Sequence, residues 1–206
     1  EDKQSRADKK ADKNARNSIT SSSTAAGAPV VSEEELEGLW KAVTKLSTLE
    51  KLAMDRDYLV ELRESTEANA SIGQLTSLKT LSLSNNRLSS VPEDICLIKQ
   101  LKVLALHSNR LTELPISIGQ LELLEKLDLK SNQLAVLPNS ISQLRFLKQL
   151  DASDNQLVAL DNSICDLISI ERLELKDNPM QKPPLSIARQ GIIAIRRYFQ
   201  ELATAG

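Results

Sequence analysis

One histidine, His107, and two cysteines, Cys96 and Cys165, are the side chains best suited to nucleophilic or metal chemistry in this chain of 206 residues. A thiol nucleophile needs a base within hydrogen-bond reach, and a structural metal needs about four ligands at short spacing. The sequence shows no Cys/His cluster at ligand spacing, no G-x-x-x-x-G-K-[ST] phosphate loop and no G-x-G-x-x-G turn. Whether Cys and His can meet depends on the elements that carry them. His107 lies in "LALHSNRLTELP", residues 104 to 115, where a polar Asn109 stands among leucines.

That arrangement recurs. Units starting at Leu78, Leu101, Leu124 and Leu147 follow one another every 23 residues, and a closing unit begins at Ile170 with "IERLELKDNPMQKPP". All share L-x-x-L-x-L-x-x-N-x-L, the leucine-rich repeat pattern, and most continue L-P-x-x-I-x-x-L. A degenerate sixth unit, "LEKLAMDRDYLVEL" from Leu49, is six residues longer than the rest. Its surplus falls within residues 63–71, an insertion expected to bulge outward from the stack.

Each column of the repeat predicts a physical role. Alternating leucines such as Leu104 and Leu106 make a short strand with its apolar side inward and the intervening residues outward. Asn86, Asn109, Asn132, Asn155 and Asn178 follow where the chain turns out of the sheet. An amide side chain donates and accepts at once, so stacked asparagines can serve the turns of their own and adjacent coils. Ser71, Asp94, Ser117, Ser140, Ser163 and Ser186 are placed to cap an outer helical turn. Two residues on, Gly73, Cys96, Gly119, Ser142, Cys165 and Ala188 are all small, as close packing between coils requires.

This phasing separates the reactive side chains. His107 falls on the strand face and the cysteines on the outer turn across the core, so a Cys-His pair is excluded. Cys96 and Cys165 are three coils apart, about 14 Å at roughly 5 Å per coil, beyond the ~7 Å that a disulfide spans. Without flanking cysteine clusters, the chain is expected in a reducing, cytoplasmic compartment. Ala152 breaks the leucine column and leaves space that Phe146 is placed to fill.

The boundaries follow from composition and periodicity. Residues 1–30 are charged and then Ser/Thr/Ala-rich, and are expected to form a disordered polar tail. Lys9, Lys10, Lys13 and Arg16 make a poor docking arm because Asp8 and Asp12 interleave with them. Residues 31–48 read as an N-terminal capping helix, with Ser32 and Glu35 as a capping box and Leu36, Leu39, Trp40, Val43 and Leu46 as its apolar stripe. The array occupies 49–185, and 186–206 form a C-terminal capping helix, with Ile187, Ile192, Ile195, Phe199 and Leu202 opposite Arg189, Arg196 and Arg197. The fold expected is therefore an α/β solenoid, a short horseshoe with a parallel concave sheet and a helix at each end. A net charge of -2 and 2% aromatics give nothing to recruit nucleic acid, and no apolar run is long enough to insert in a membrane. The start at Glu1, without Met, reads as a processed or excerpted chain.

With "LTELPISIGQL" and "LAVLPNSISQL", residues 49–202 resemble the intracellular leucine-rich proteins of the Ras-associated group. The closing "QKPPLSIARQGIIAIRRYF" also resembles the segment that ends the arrays of Roco proteins. The resemblance implies a signalling scaffold whose partner is a protein, in some members a Ras-like GTPase. It also leaves open a regulatory segment of a larger Roco-like GTPase. A structural subunit of an organelle assembly is a third reading.

A binding surface on such an array is its concave face, where successive strands line up their outward residues. Val103, Ala105 and His107 come first, then Lys126, Asp128 and Lys130, then Gln149, Asp151 and Ser153, then Arg172, Glu174 and Lys176. Asp128, Asp151 and Glu174 form an acidic column flanked by cations. A solvated face accounts for the same residues. The expectation is a monomeric, non-enzymatic interaction module with no cofactor and no metal.

Overall fold

The computed structural model describes residues 46, 48–55, 59, 62 and 71–205, together with the backbone of residues 18–22. Seven parallel strands lie in sequence order: β1 (Ser18–Ser22), β2 (Lys51–Asp55), β3 (Thr80–Ser82), β4 (Val103–Ala105), β5 (Lys126–Asp128), β6 (Gln149–Asp151) and β7 (Arg172–Glu174). Register is uniform from β2 onward: Leu52, Leu81, Leu104, Leu127, Leu150 and Leu173 pair in one row. All six are buried, so the 23-residue period places every coil's apolar side over the last. The fold is the leucine-rich repeat solenoid expected, with an open parallel sheet on its inner side.

The outer side carries five short 3-10 turns: Ile72–Gln74, Glu93–Leu97, Ile116–Gln120, Asn139–Gln143 and Asn162–Asp166. Here the capping expectation is corrected. Only Ser71 caps its turn, accepting a hydrogen bond from the Gly73 amide at 3.1 Å. Pro92, Pro115 and Pro138 take the cap position in the next three, because proline's fixed φ suits the entry to a helical turn. In the fifth coil Asp161 replaces that proline, and its carboxylate accepts from the Ser163 amide at 2.9 Å.

The serine column instead binds coil to coil. The Ser71 hydroxyl donates to Asp94 at 2.5 Å, that of Ser117 to Glu93, and that of Ser140 to the Ile116 carbonyl at 2.5 Å. The small column is explained by contact: a Cβ on Gly73 would meet the Asp94 carbonyl at 2.7 Å, and one on Gly119 would overlap the Ser140 carbonyl. Cys96 is buried, and burial pushes its thiol up to about 11.

The asparagine column is buried throughout. The Asn132 amide nitrogen donates to Leu129 O in its own coil at 2.9 Å and to Leu106 O in the preceding coil at 3.0 Å. Its oxygen accepts from the Leu111 amide of that preceding coil at 3.0 Å. Asn86, Asn109, Asn155 and Asn178 repeat this set one coil apart, accepting from Leu59, Leu88, Leu134 and Leu157. Just before each asparagine a residue turns left-handed, with φ between 54° and 58° at Asn85, Ser108, Ser131, Asp154 and Asp177. Asn, Asp and Ser fill this column, and Asn and Asp accept such a conformation more readily than other side chains.

A ladder of charge runs along the residue before each strand. Lys79 pairs with Glu50 at 2.7 Å, and Glu125 pairs with Lys148 at 2.8 Å and Lys102 at 3.3 Å, so one carboxylate joins three coils. Hydrogen bonds from Lys148 and then Lys102 hold the Glu125 carboxyl below the ordinary carboxylate range.

At the far end, α1 (Leu185–Ala188) and α2 (Ile192–Ala205) close the array, separated at Gly191 with φ 82°. Ile192 and Ile195 are buried and Ile187 and Phe199 pack against the core, but Leu202 is 45% exposed because α2 runs on past the last coil. Arg196 also departs from the expected polar side: it turns inward and donates to Cys165 O at 3.1 Å and Leu167 O at 2.8 Å, satisfying carbonyls at the end of the fifth turn.

Two other expectations meet the structure differently. Ser18–Ser22, inside the stretch read as a disordered tail, pairs with Lys51–Asp55 along the edge of β2, whose free backbone groups any extended segment can satisfy. Phe146 is 55% exposed and does not fill the column behind Ala152. The N-terminal capping helix, apart from Leu46 and Thr48, and insertion residues 63–70 lie outside the described residues; Leu46 of the expected stripe is exposed.

Asn132→Ala should lower stability by about 2 to 4 kcal/mol in urea unfolding, because a buried amide and two carbonyls lose partners worth roughly 1 kcal/mol or more each. A loss under about 0.5 kcal/mol would contradict the role given to the column. For Glu125, a lowered folded pKa means stabilisation that is present above the unfolded carboxylate pKa and lost as pH falls through the lower folded value. The stability difference between wild type and Glu125→Gln should therefore shrink as pH drops below about 4. A difference that is constant with pH would contradict it.

Candidate functional site

The concave face is built by the outward residues of β2 to β7, in three columns. The strand register aligns Lys51, Thr80, Val103, Lys126, Gln149 and Arg172 in the first, and Ala53, Ser82, Ala105, Asp128, Asp151 and Glu174 in the second. The third, Asp55, Ser84, His107, Lys130, Ser153 and Lys176, lies at or just past the strand ends, where the chain begins to turn. Because coils are spaced by about 4.8 Å, neighbours within a column are in side-chain reach.

Character changes along the face. Thr80, Val103, Ala105 and His107 are half-buried and small or uncharged, whereas Lys126, Lys130, Gln149, Arg172 and Lys176 are exposed. Between the first and second columns of β5 to β7 is a shallow hollow of about 110 Å³. Lys126, Gln149 and Arg172 form one side of it and Asp128, Asp151 and Glu174 the other.

Three carboxylates on adjacent strands repel one another. Each is met by a local donor. Glu174 is bridged by Arg172 at 3.2 Å and by Lys176 at 3.3 Å. Asp151 accepts from the amide and the hydroxyl of Ser153, at 3.0 and 2.5 Å. Asp128 accepts from the Lys130 amide at 3.2 Å. On the earlier coils, Asp55 plays the same part for the Ser82 hydroxyl and the Ser84 amide.

These contacts correct one expected surface residue. Ser153 is 7% exposed, because it folds back onto Asp151 instead of facing a partner. The remaining eleven predicted residues lie on the inner face at half-buried or exposed positions, so the structure gathers them on one surface. Ser84, the equivalent of Ser153, is also buried, but its hydroxyl has no hydrogen-bond partner. The residue two before it is Ser82, already donating to Asp55, where Ser153 has Asp151. Reading the third column coil by coil against the second would have found both cases.

His107 Nδ1 lies 3.2 Å from the Ser108 hydroxyl, on the inner face. Both cysteines belong to outer turns and are free thiols, and burial raises the pKa of each. Among the described residues no group of three His, Cys, Asp or Glu side chains could hold a metal ion, and no helix is long and apolar enough to cross a membrane.

Comparison with known proteins agrees with this geometry. Residues 99–157 match the family model described as leucine rich repeat, and residues 76–118 match that for two copies of the leucine rich repeat. No curated protein matches the chain. Among solved structures, a leucine-rich repeat protein of Leptospira interrogans is 38% identical with a TM-score of 0.63, over 67% of this chain and 34% of that one. The ectodomain of the Arabidopsis thaliana receptor kinase GASSHO1/SCHENGEN3, in complex with Casparian strip integrity factor 2, is 32% identical with a TM-score of 0.59, over 68% and 17%. The plant peptide hormone receptor RGFR1, in complex with RGF2, is 26% identical with a TM-score of 0.59, over 68% and 22%. The chain spans about a third or less of these proteins' lengths. The matches identify leucine-rich repeats within residues 76–157, in agreement with the fold, and do not separate their subtypes.

Removing the orphaned hydroxyl should cost nothing: Ser84→Ala is expected to leave stability unchanged or raise it by up to about 1 kcal/mol in urea unfolding. A loss above about 1 kcal/mol would show that the hydroxyl has a partner.

Proposed function

We propose that this chain is a non-enzymatic scaffold that binds a protein partner through its concave face. The observation that carries the reading is the division of labour between columns. Leucines and asparagines hold the coils together, while the outward columns of β4 to β7, apart from the buried Ser153, form a continuous surface of exposed and half-buried side chains that no described element covers. Such a surface suits recognition, since side chains from successive coils sit at fixed spacing with no loops between them. Two of the similar solved structures are receptors in complex with peptide or protein factors, which supports the same use here.

The finer reading is a cytoplasmic role in signalling, with a Ras-like GTPase or another signalling protein as partner. Support comes from the 23-residue units with their L-P-x-x-I-x-x-L half and from the two free thiols. A regulatory array within a larger Roco-like protein draws on the closing segment, which folds as α1 and α2.

The concave face can be blocked without touching the asparagines. Ala105→Trp combined with Gln149→Trp should reduce partner capture from a cell extract about tenfold or more, with an unchanged circular dichroism spectrum. Ile116→Arg, at an 80% exposed position on the outer turn, should have no effect. Capture that survives the inner substitutions and fails with the outer one would overturn the assignment.

A further inference from the structure

The charges on the concave face are not equally available. Arg172 and Lys176 are both engaged with Glu174, at 3.2 and 3.3 Å. Lys126 on β5 and Lys130 two residues past its end are exposed and make no ion pair among the described residues. The carboxylate between them, Asp128, is half-buried and already accepts from the Lys130 amide. An approaching partner therefore meets two uncommitted ammonium groups before it meets the recessed acid. One coil back, β4 presents Val103 and Ala105 in place of charge.

Resting on the concave-face reading above, we infer that the occupant is an extended, acidic segment of a partner protein. It lays an apolar side chain against Val103 and Ala105 and sets carboxylates on Lys126 and Lys130. An extended chain advances about 3.3 Å per residue, so side chains two apart on one face are separated by about 6.6 Å. Crossing the strands, that step carries the segment from β4 past β5 toward Gln149 on β6, a mismatch of about 2 Å with the strand spacing that a long lysine side chain on the middle coil can span. An apolar residue followed two positions later by Asp or Glu matches the order of surfaces. A basic segment fits worse. It would face Lys126 and Lys130 first, and the carboxylates it needs are occupied by Ser153, Arg172 and Lys176. Attraction to exposed lysines acts mainly on encounter, so association should weaken steeply with salt.

The test uses the full chain and three labelled ten-residue peptides, followed by fluorescence anisotropy. The first alternates Leu and Glu on one face with Ser between; the second has Lys for each Glu, and the third Gln. The Glu peptide should bind best, should weaken with salt, and should lose about tenfold in affinity when Lys126→Glu and Lys130→Glu are combined. Lys99→Gln, an exposed lysine beside the outer turn Glu93–Leu97, should change its affinity by less than about twofold. Equal or tighter binding of the Lys peptide, no binding of the Glu peptide, or indifference to the paired lysine reversal would each overturn the inference. Circular dichroism and the urea midpoint of the reversed variant exclude loss of fold as the cause. Partner capture separates the two levels: if blocking with Ala105→Trp and Gln149→Trp abolishes capture and reversing the lysines does not, the concave scaffold stands and the acidic occupant falls. If neither affects capture, both fall.

Discussion

The structure depends on a buried asparagine side chain making bonds in two coils at once. Strands of three residues are too short to define a sheet by themselves, and each must end in a turn that would leave backbone groups unpaired in the interior. Asn109 shows how the conflict is resolved: its nitrogen donates to Leu106 of its own coil and to Leu83 of the preceding one, while its oxygen accepts from the preceding coil's Leu88. The coil cannot turn without fixing its neighbour. The left-handed residue before each asparagine aims the side chain inward, and the leucines above and below exclude the water that would otherwise compete.

Because that interior network carries the register, the inner face is relieved of structural duty. Its second column tolerates three stacked acids, an arrangement that a sheet held only by cross-strand side-chain pairs would resist. The repulsion is offset locally, by Ser153 for Asp151 and by two cations for Glu174, and not by the core. What is left over, chiefly Lys126 and Lys130 of one coil beside the apolar patch of β4, is the part of the surface with chemistry to offer. The outer side differs: Glu125 links three coils before the strands, and Ser71, Ser117 and Ser140 link turns beyond them. Coil-to-coil bonds therefore flank the face on both sides of each strand.

The strand rows and the asparagine column were legible in the sequence because each imposes one residue type on every coil. Features that vary from coil to coil were harder to see. The capping column was misplaced because proline, serine and aspartate each start an outer turn by a different means, so no single residue marks the start. Alternation alone puts Ser153 at the surface with Lys130 and Lys176, but its short hydroxyl folds back onto Asp151, where a lysine at the same place reaches solvent. Arg196 looked like the solvent face of a helix, since nothing in its own segment reveals the carbonyls of Cys165 and Leu167 that it meets. The strand at Ser18–Ser22 lacks the leucine pattern altogether, and its pairing follows from the open edge of β2.

Native-state hydrogen exchange at the amides of Leu88, Leu111, Leu134 and Leu157 tests the central claim most directly, since each donates to an asparagine of the following coil. If these bonds hold the array in register, all four amides exchange only with global unfolding, as slowly as the amides of the central strands. Exchange at the rate of exposed turn amides, with the strand amides still protected, would show that the coils keep their register without the asparagines.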